Sequence, residues 1–84
     1  METRIAVMSI IVEKPEAVER LNEVLHNFGE FIIGRMGIPY KPRKINIISI
    51  ALDAPQDKIS ALAGTVGNID GVSVKTAYSG SAAK

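Results

Sequence analysis

The sequence contains no cysteine and no tryptophan, and histidine occurs once, as His26. Without cysteine there is no disulfide framework, no thiolate metal site, no iron–sulfur ligation and no cysteine nucleophile. One imidazole with no thiol makes a poor transition-metal site within one chain, so no metal and no cofactor is expected. No run reaches the 18 or so apolar residues of a membrane helix. The opening METRIAV lacks the apolar stretch and small-residue cleavage site of a secretory leader, so the expected location is cytoplasmic. The formal net charge is only +1, and bulk electrostatics therefore calls for neither nucleic acid, membrane nor an acidic partner.

What is present is 84 residues, 46 % hydrophobic and 23 % charged. That is one domain, too apolar to be disordered and able to bury roughly 60–65 % of its unfolded surface. Residues 4–13, RIAVMSIIVE, read as a strand bounded by charge. Residues 15–28 read as a helix opened by Pro15, with Glu16 and Glu19 at its positive end. Ala17, Val18, Leu21, Val24, Leu25 and Phe28 recur on one helical face, and Gly29 stands where a left-handed cap is wanted. Residues 30–36 form a short strand, and GIPYKP, with one glycine and two prolines in six positions, reads as a loop. Residues 43–53 are a second long apolar strand whose Asp53 is placed to cap the next helix. Ile59, Leu62, Ala63 and Val66 give that helix an apolar stripe. Gly64 within it suggests close packing on a sheet, and Gly67 ends it. Asp70 and Gly71 turn the chain into a last strand, VSVKTAY.

The order is strand, helix, strand, strand, helix, strand. Two such split units give an α+β, ferredoxin-like βαββαβ domain over residues 1–78, with a four-stranded antiparallel sheet and both helices on one face. Residues 79–84 read as a flexible tail. The first and third strands lie in the centre. Both are apolar on both sides: Ile5, Val7 and Ile11 alternate with Ala6, Met8, Ile10 and Val12, and Ile45 and Ile47 alternate with Ile48, Ile50 and Leu52. Two helices cover one side only. A large apolar patch is seldom left in water, so the chain is expected to form a homo-oligomer through its sheet, a two-fold dimer or a tetramer built from dimers.

His26 falls nearly opposite the apolar stripe of the first helix and reads as a surface residue. Glu16, Glu19 and Glu23 read as a solvated face, with Glu16 placed to pair Arg20. No nucleophile-plus-base spacing, phosphate-cradling glycine loop or zinc-protease motif occurs, so the chain reads as non-catalytic. The segment that stands apart is GRMGIPYKPRK, residues 34–44. It holds Arg35, Lys41, Arg43 and Lys44, four of the ten basic residues, and no acid. Pro39 and Pro42 stiffen it, Gly37 permits a tight bend, and Tyr40 adds an aromatic surface. Arg35, Gly37, Tyr40, Lys41, Arg43 and Lys44 are thus the candidate site for a small anionic ligand or a protein partner. A nucleic-acid backbone is the alternative ligand for this loop. The two central strands carry no aromatic residue, whereas RNA binding on the sheet of this fold relies on aromatics exposed there for base stacking.

FIIGRMGIPY, INIISIALD and ISALAGTVGNIDGVSVK closely resemble the iron-only hydrogenase system regulators, from about Arg4 to Ala77. The resemblance implies an ACT-like domain, similar to the regulatory domain of nickel-responsive repressors, that forms oligomers and regulates a hydrogenase system. It also implies a protein partner from that system, as a transcriptional regulator or as a docking protein for hydrogenase maturation. ACT domains that bind amino acids carry a glycine after the first strand, where this chain has Glu13-Lys14-Pro15. The nickel-responsive proteins bind metal through several histidines and a cysteine, whereas this chain has only His26, so metal sensing of that kind is not expected.

Overall fold

A computed structural model describes residues 2–80. Its elements are β1 (Arg4–Val12), α1 (Ala17–Asn27), β2 (Ile32–Tyr40), β3 (Ile45–Ala54), α2 (Gln56–Gly67) and β4 (Val72–Tyr78), with 3-10 turns at Gly29–Phe31 and Lys41–Arg43. The sheet order is β2-β3-β1-β4 and all three pairings are antiparallel. This is the ferredoxin-like α+β arrangement expected from the element order, with β1 and β3 in the centre.

Alternation along β1 and β3 decides which face is buried. Ala6, Met8, Ile10 and Val12 from β1 and Ile48, Ile50, Leu52 and Ala54 from β3 are buried. They share one core with Ala17, Leu21, Val24 and Leu25 of α1 and Ile59, Leu62 and Val66 of α2. Both helices therefore lie on the same side of the sheet. Each fully buried aliphatic side chain in this layer contributes about 1.5–3 kcal/mol relative to an exposed one.

Three local expectations give way to the structure. Asp53 does not cap α2: β3 continues through Ala54, and Pro55 takes the N-cap position. Gly29 is not a left-handed cap. The helix closes on Phe28, and the only residues with positive φ among those described are Lys44 and Gly71. Gly64 is not held in close contact, since a Cβ there would meet nothing within 4 Å. Gly71 is the glycine the backbone requires: its φ is +84°, and a Cβ would lie 2.6 Å from Lys14 Cγ.

Arg20 pairs with Glu23 rather than with Glu16. Lys14 reaches across to Asp70 at 2.6 Å and ties the β1–α1 junction to the α2–β4 turn. At the opposite end of the sheet, Arg4 Nη1 donates to Gln56 Oε1 at 2.7 Å, and Gln56 Nε2 donates to Tyr78 Oη at 2.8 Å. The Arg4 guanidinium stacks 4.3 Å from the Tyr78 ring centre, a cation–π contact. Of the expected tail, Ser79 donates its backbone N–H to the Ile5 carbonyl, and residues 81–84 lie outside the described residues.

Candidate functional site

The largest departure from the sequence reading concerns residues 37–42, expected as a loop within the basic candidate segment 34–44. Residues 34–40 are strand, paired with β3 from Gly34↔Ala51 through Tyr40↔Ile45. Pro39 does not break the strand because β2 is an edge, where one side of the backbone needs no hydrogen-bond partner. Gly37 makes no bend; it pairs with Ile48 inside the ladder. A bulge lies at the other end, between Ile32 and Gly34. The connection is therefore only Lys41–Arg43 and Lys44.

This correction separates the candidate residues. Register puts Arg35 and Gly37 on the helix side, beside Ile50 and Ile48. Arg35 Nη2 donates to Asn22 Oδ1 of α1 at 2.6 Å. Tyr40 faces the other way, at the level of Ile45, and is exposed. Lys41, Arg43 and Lys44 stay together in the turn. All three are exposed, and among the described residues their side chains make no hydrogen bond or ion pair. Lys44 sits in the left-handed region, φ 56° and ψ 39°, a conformation that costs an L-residue about 1–2 kcal/mol relative to the right-handed one. The turn thus presents three unpaired cations beside one aromatic ring, with no acid among them.

The second surface is the face of the sheet without helices. Ile5, Val7 and Ile11 of β1, Ile47 of β3 and Met36, Ile38 and Tyr40 of β2 lie there, each between 38 % and 56 % exposed. The register sets them in cross-strand rows: Ile38, Ile47, Ile11 and Ser73; then Met36, Ser49, Ser9 and Lys75; then Gly34, Ala51, Val7 and Ala77. The apolar face expected from the strand patterns is real, and the basic turn projects from one end of it.

His26 is exposed in the last turn of α1. The Lys14–Asp70 hydrogen bond, followed by their mutual charge attraction, raises the Lys14 ammonium above its ordinary value and lowers the Asp70 carboxyl below its own. Both groups are on the surface, and the pair braces a turn rather than a reaction site. Two shallow depressions among the described residues are lined by residues of α1, of α2 and of the α2–β4 turn, and neither includes a residue of the basic turn or of the open face. Among the described residues no three acidic or histidine side chains converge as a metal site would need, and no helix is long and apolar enough to cross a membrane.

Comparison with known proteins bears on the same segments. The family model TM1266-like, described as a proposed iron-only hydrogenase system regulator, matches residues 4–76. The chain belongs to the TM1266-like family. The solved structure of the uncharacterized protein TM1266 from Thermotoga maritima is 40 % identical, covers 92 % of this chain and 98 % of its own, and superposes with a TM-score of 0.88. The C-terminal domain of the MgtC protein from Mycobacterium tuberculosis has a TM-score of 0.73 at 13 % identity, over 90 % of this chain and 87 % of that one. A formyltetrahydrofolate deformylase from Pseudomonas putida KT2440 has a TM-score of 0.61 at 10 % identity, over 87 % of this chain and 28 % of the enzyme. At such identities the last two share the fold alone. No curated protein matches the sequence. In this chain the segment GIPY, first read as part of a loop, is thus the end of an edge strand that leads into a basic turn.

Proposed function

We propose that this chain is a non-catalytic regulatory protein of an iron-only hydrogenase system, which self-associates through the helix-free face of its sheet and reads a small anion at the turn 41–44. Membership of the TM1266-like family supports the regulatory role. The single observation that carries the rest is the pairing of surfaces: an apolar sheet face running out to three cations that have no partner of their own. An apolar face of this kind serves contact with another protein. Unpaired ammonium and guanidinium groups on a short turn serve recognition of phosphate or carboxylate. Arg35 stands outside the ligand site, engaged with Asn22. Regulation of transcription, on this reading, runs through a partner protein.

The test has two arms. Light scattering on the eluting protein should give a multiple of the 9.0 kDa chain mass. Thermal melts with inorganic phosphate should rise for the wild type and stay flat for the Lys41→Ala/Arg43→Ala variant. A flat response of the wild type to phosphate and carboxylate probes overturns the anion reading. Tyr40 beside the three cations favours one second reading, single-stranded nucleic acid gripped by stacking and phosphate contacts. That reading requires affinity that falls steeply with salt and is lost in Lys41→Glu/Arg43→Glu.

A further inference from the structure

The helix-free face carries two charges within its strands, Lys75 of β4 and Asp53 of β3. Both are exposed, and among the described residues neither side chain makes a hydrogen bond or ion pair. They do not meet within one chain. Lys75 lies level with Ser9, and Ser9 with Ser49, while Asp53 is four residues beyond Ser49 and level with Ile5. Two strand spacings by four residues is a separation of roughly 17 Å.

We infer that the occupant of this face is a second copy of the same chain, set in register by Lys75 of each copy against Asp53 of the other. This rests on the self-association proposed above and adds its geometry. In a two-fold interface every contact is made twice, i to j and j to i. A face with one cation and one carboxylate, unpaired at home, is therefore complementary to itself and to nothing of single sign. The midpoint between the two charges falls on Val7, level with Ala51 and Ala77, so the axis passes over the middle of the sheet with small and branched residues around it. An axis that exchanges the two charges makes the strands of the copies cross at about 70°, close to the orthogonal class of sheet packing. The face measures roughly 19 by 30 Å when flat. Before side-chain relief that is about 570 Å², against the ~800 Å² that each partner buries in a standard interface. The basic turn extends past the crossing and stays in solvent, as the anion site requires.

The experiment is a charge-reversal cycle read by sedimentation equilibrium on the full chain: wild type, Lys75→Glu, Asp53→Lys, the double variant, and the two single variants mixed. Circular dichroism and melting of each variant check the fold, which these exposed positions leave intact. The expected result is a wild-type dimer, at least about tenfold weaker self-association in each single variant, recovery in the double variant, and recovery on mixing the singles. Mixing restores both pairs, because Glu replaces Lys75 in one chain and Lys replaces Asp53 in the other. Single variants that associate as the wild type does, or a double variant and mixture no better than the worse single, overturn the pairing. A wild type that stays at the chain mass overturns the self-association itself. A dimer indifferent to every reversal removes only the register.

Discussion

Neighbouring residues of β1 meet opposite fates. Ala6, Met8, Ile10 and Val12 are at most 1 % exposed, whereas Ile5, Val7 and Ile11, one position along, are 42–43 % exposed. The residue types are the same on both sides, so hydrophobicity does not distinguish them. The partner does: on one side α1 and α2 lie within the same chain, and on the other no element among the described residues comes back to cover the strands. The first face makes the domain fold. The second adds little to that fold and is available for association, which is what separates a stability residue from an interaction residue here.

That contrast is broken most directly by the pair Ile10→Ala and Ile11→Ala. Chemical denaturation at a dilution where the chain is monomeric should show a loss of about 2–5 kcal/mol for Ile10→Ala, from lost burial and a cavity. Ile11→Ala should cost less than about 1 kcal/mol there and act instead on self-association. Equal losses would mean the two faces are not different in kind. Gly71→Ala tests the end of the sheet where both faces depend on one turn. Its positive φ and the 2.6 Å approach to Lys14 predict a loss of about 1–3 kcal/mol in the same assay.

Smaller effects sharpen the comparison at the turn. Lys44→Gly removes left-handed strain and should raise stability by up to ~1 kcal/mol while lowering phosphate affinity. A gain in both would show that the lysine has no part in binding. The smallest effect is electrostatic. The Asp70 carboxyl is lowered by Lys14, so its contribution is present above its unfolded pKa of 3.8 and is lost as pH falls through the lower folded value. Lys14 is raised, so its contribution is present below 10.5 and is lost as pH rises through the higher folded value. Asp70→Asn should therefore flatten both the acid and the alkaline arm of the stability profile, by an amount that salt reduces further.

Much of this architecture is legible in the residues. The helix stripes of Leu21, Val24 and Leu25 and of Ile59, Leu62 and Val66 and the doubly apolar sheet follow from periodicity, and the central place of the first and third strands follows from the order of the elements. The segment 37–40 was not, because glycine and proline signal a turn unless the strand is known to lie at an edge, and edge position is a property of the whole sheet. The same limit hid the division of the candidate site. Arg35 and Tyr40 are five residues apart and fall on opposite faces, which only the register reveals. The left-handed turn residue is a lysine, a type that gives no local warning of that conformation. Asp53 and Lys75 carried no signal as a pair, since they come from strands that are not neighbours.

The position of Lys75 has a further consequence, for how far such molecules can grow. β4 is an outer strand of seven residues with no proline and no bulge, and Lys75 is its midpoint. A chain that tried to lengthen the sheet sideways by zipping β4 antiparallel onto another β4 would, in the fullest alignment, set the two Lys75 side chains directly opposite each other, with Cβ atoms about 5 Å apart and like charges on one face. Fibre-like polymerisation along that border is discouraged by one methylene-tethered charge.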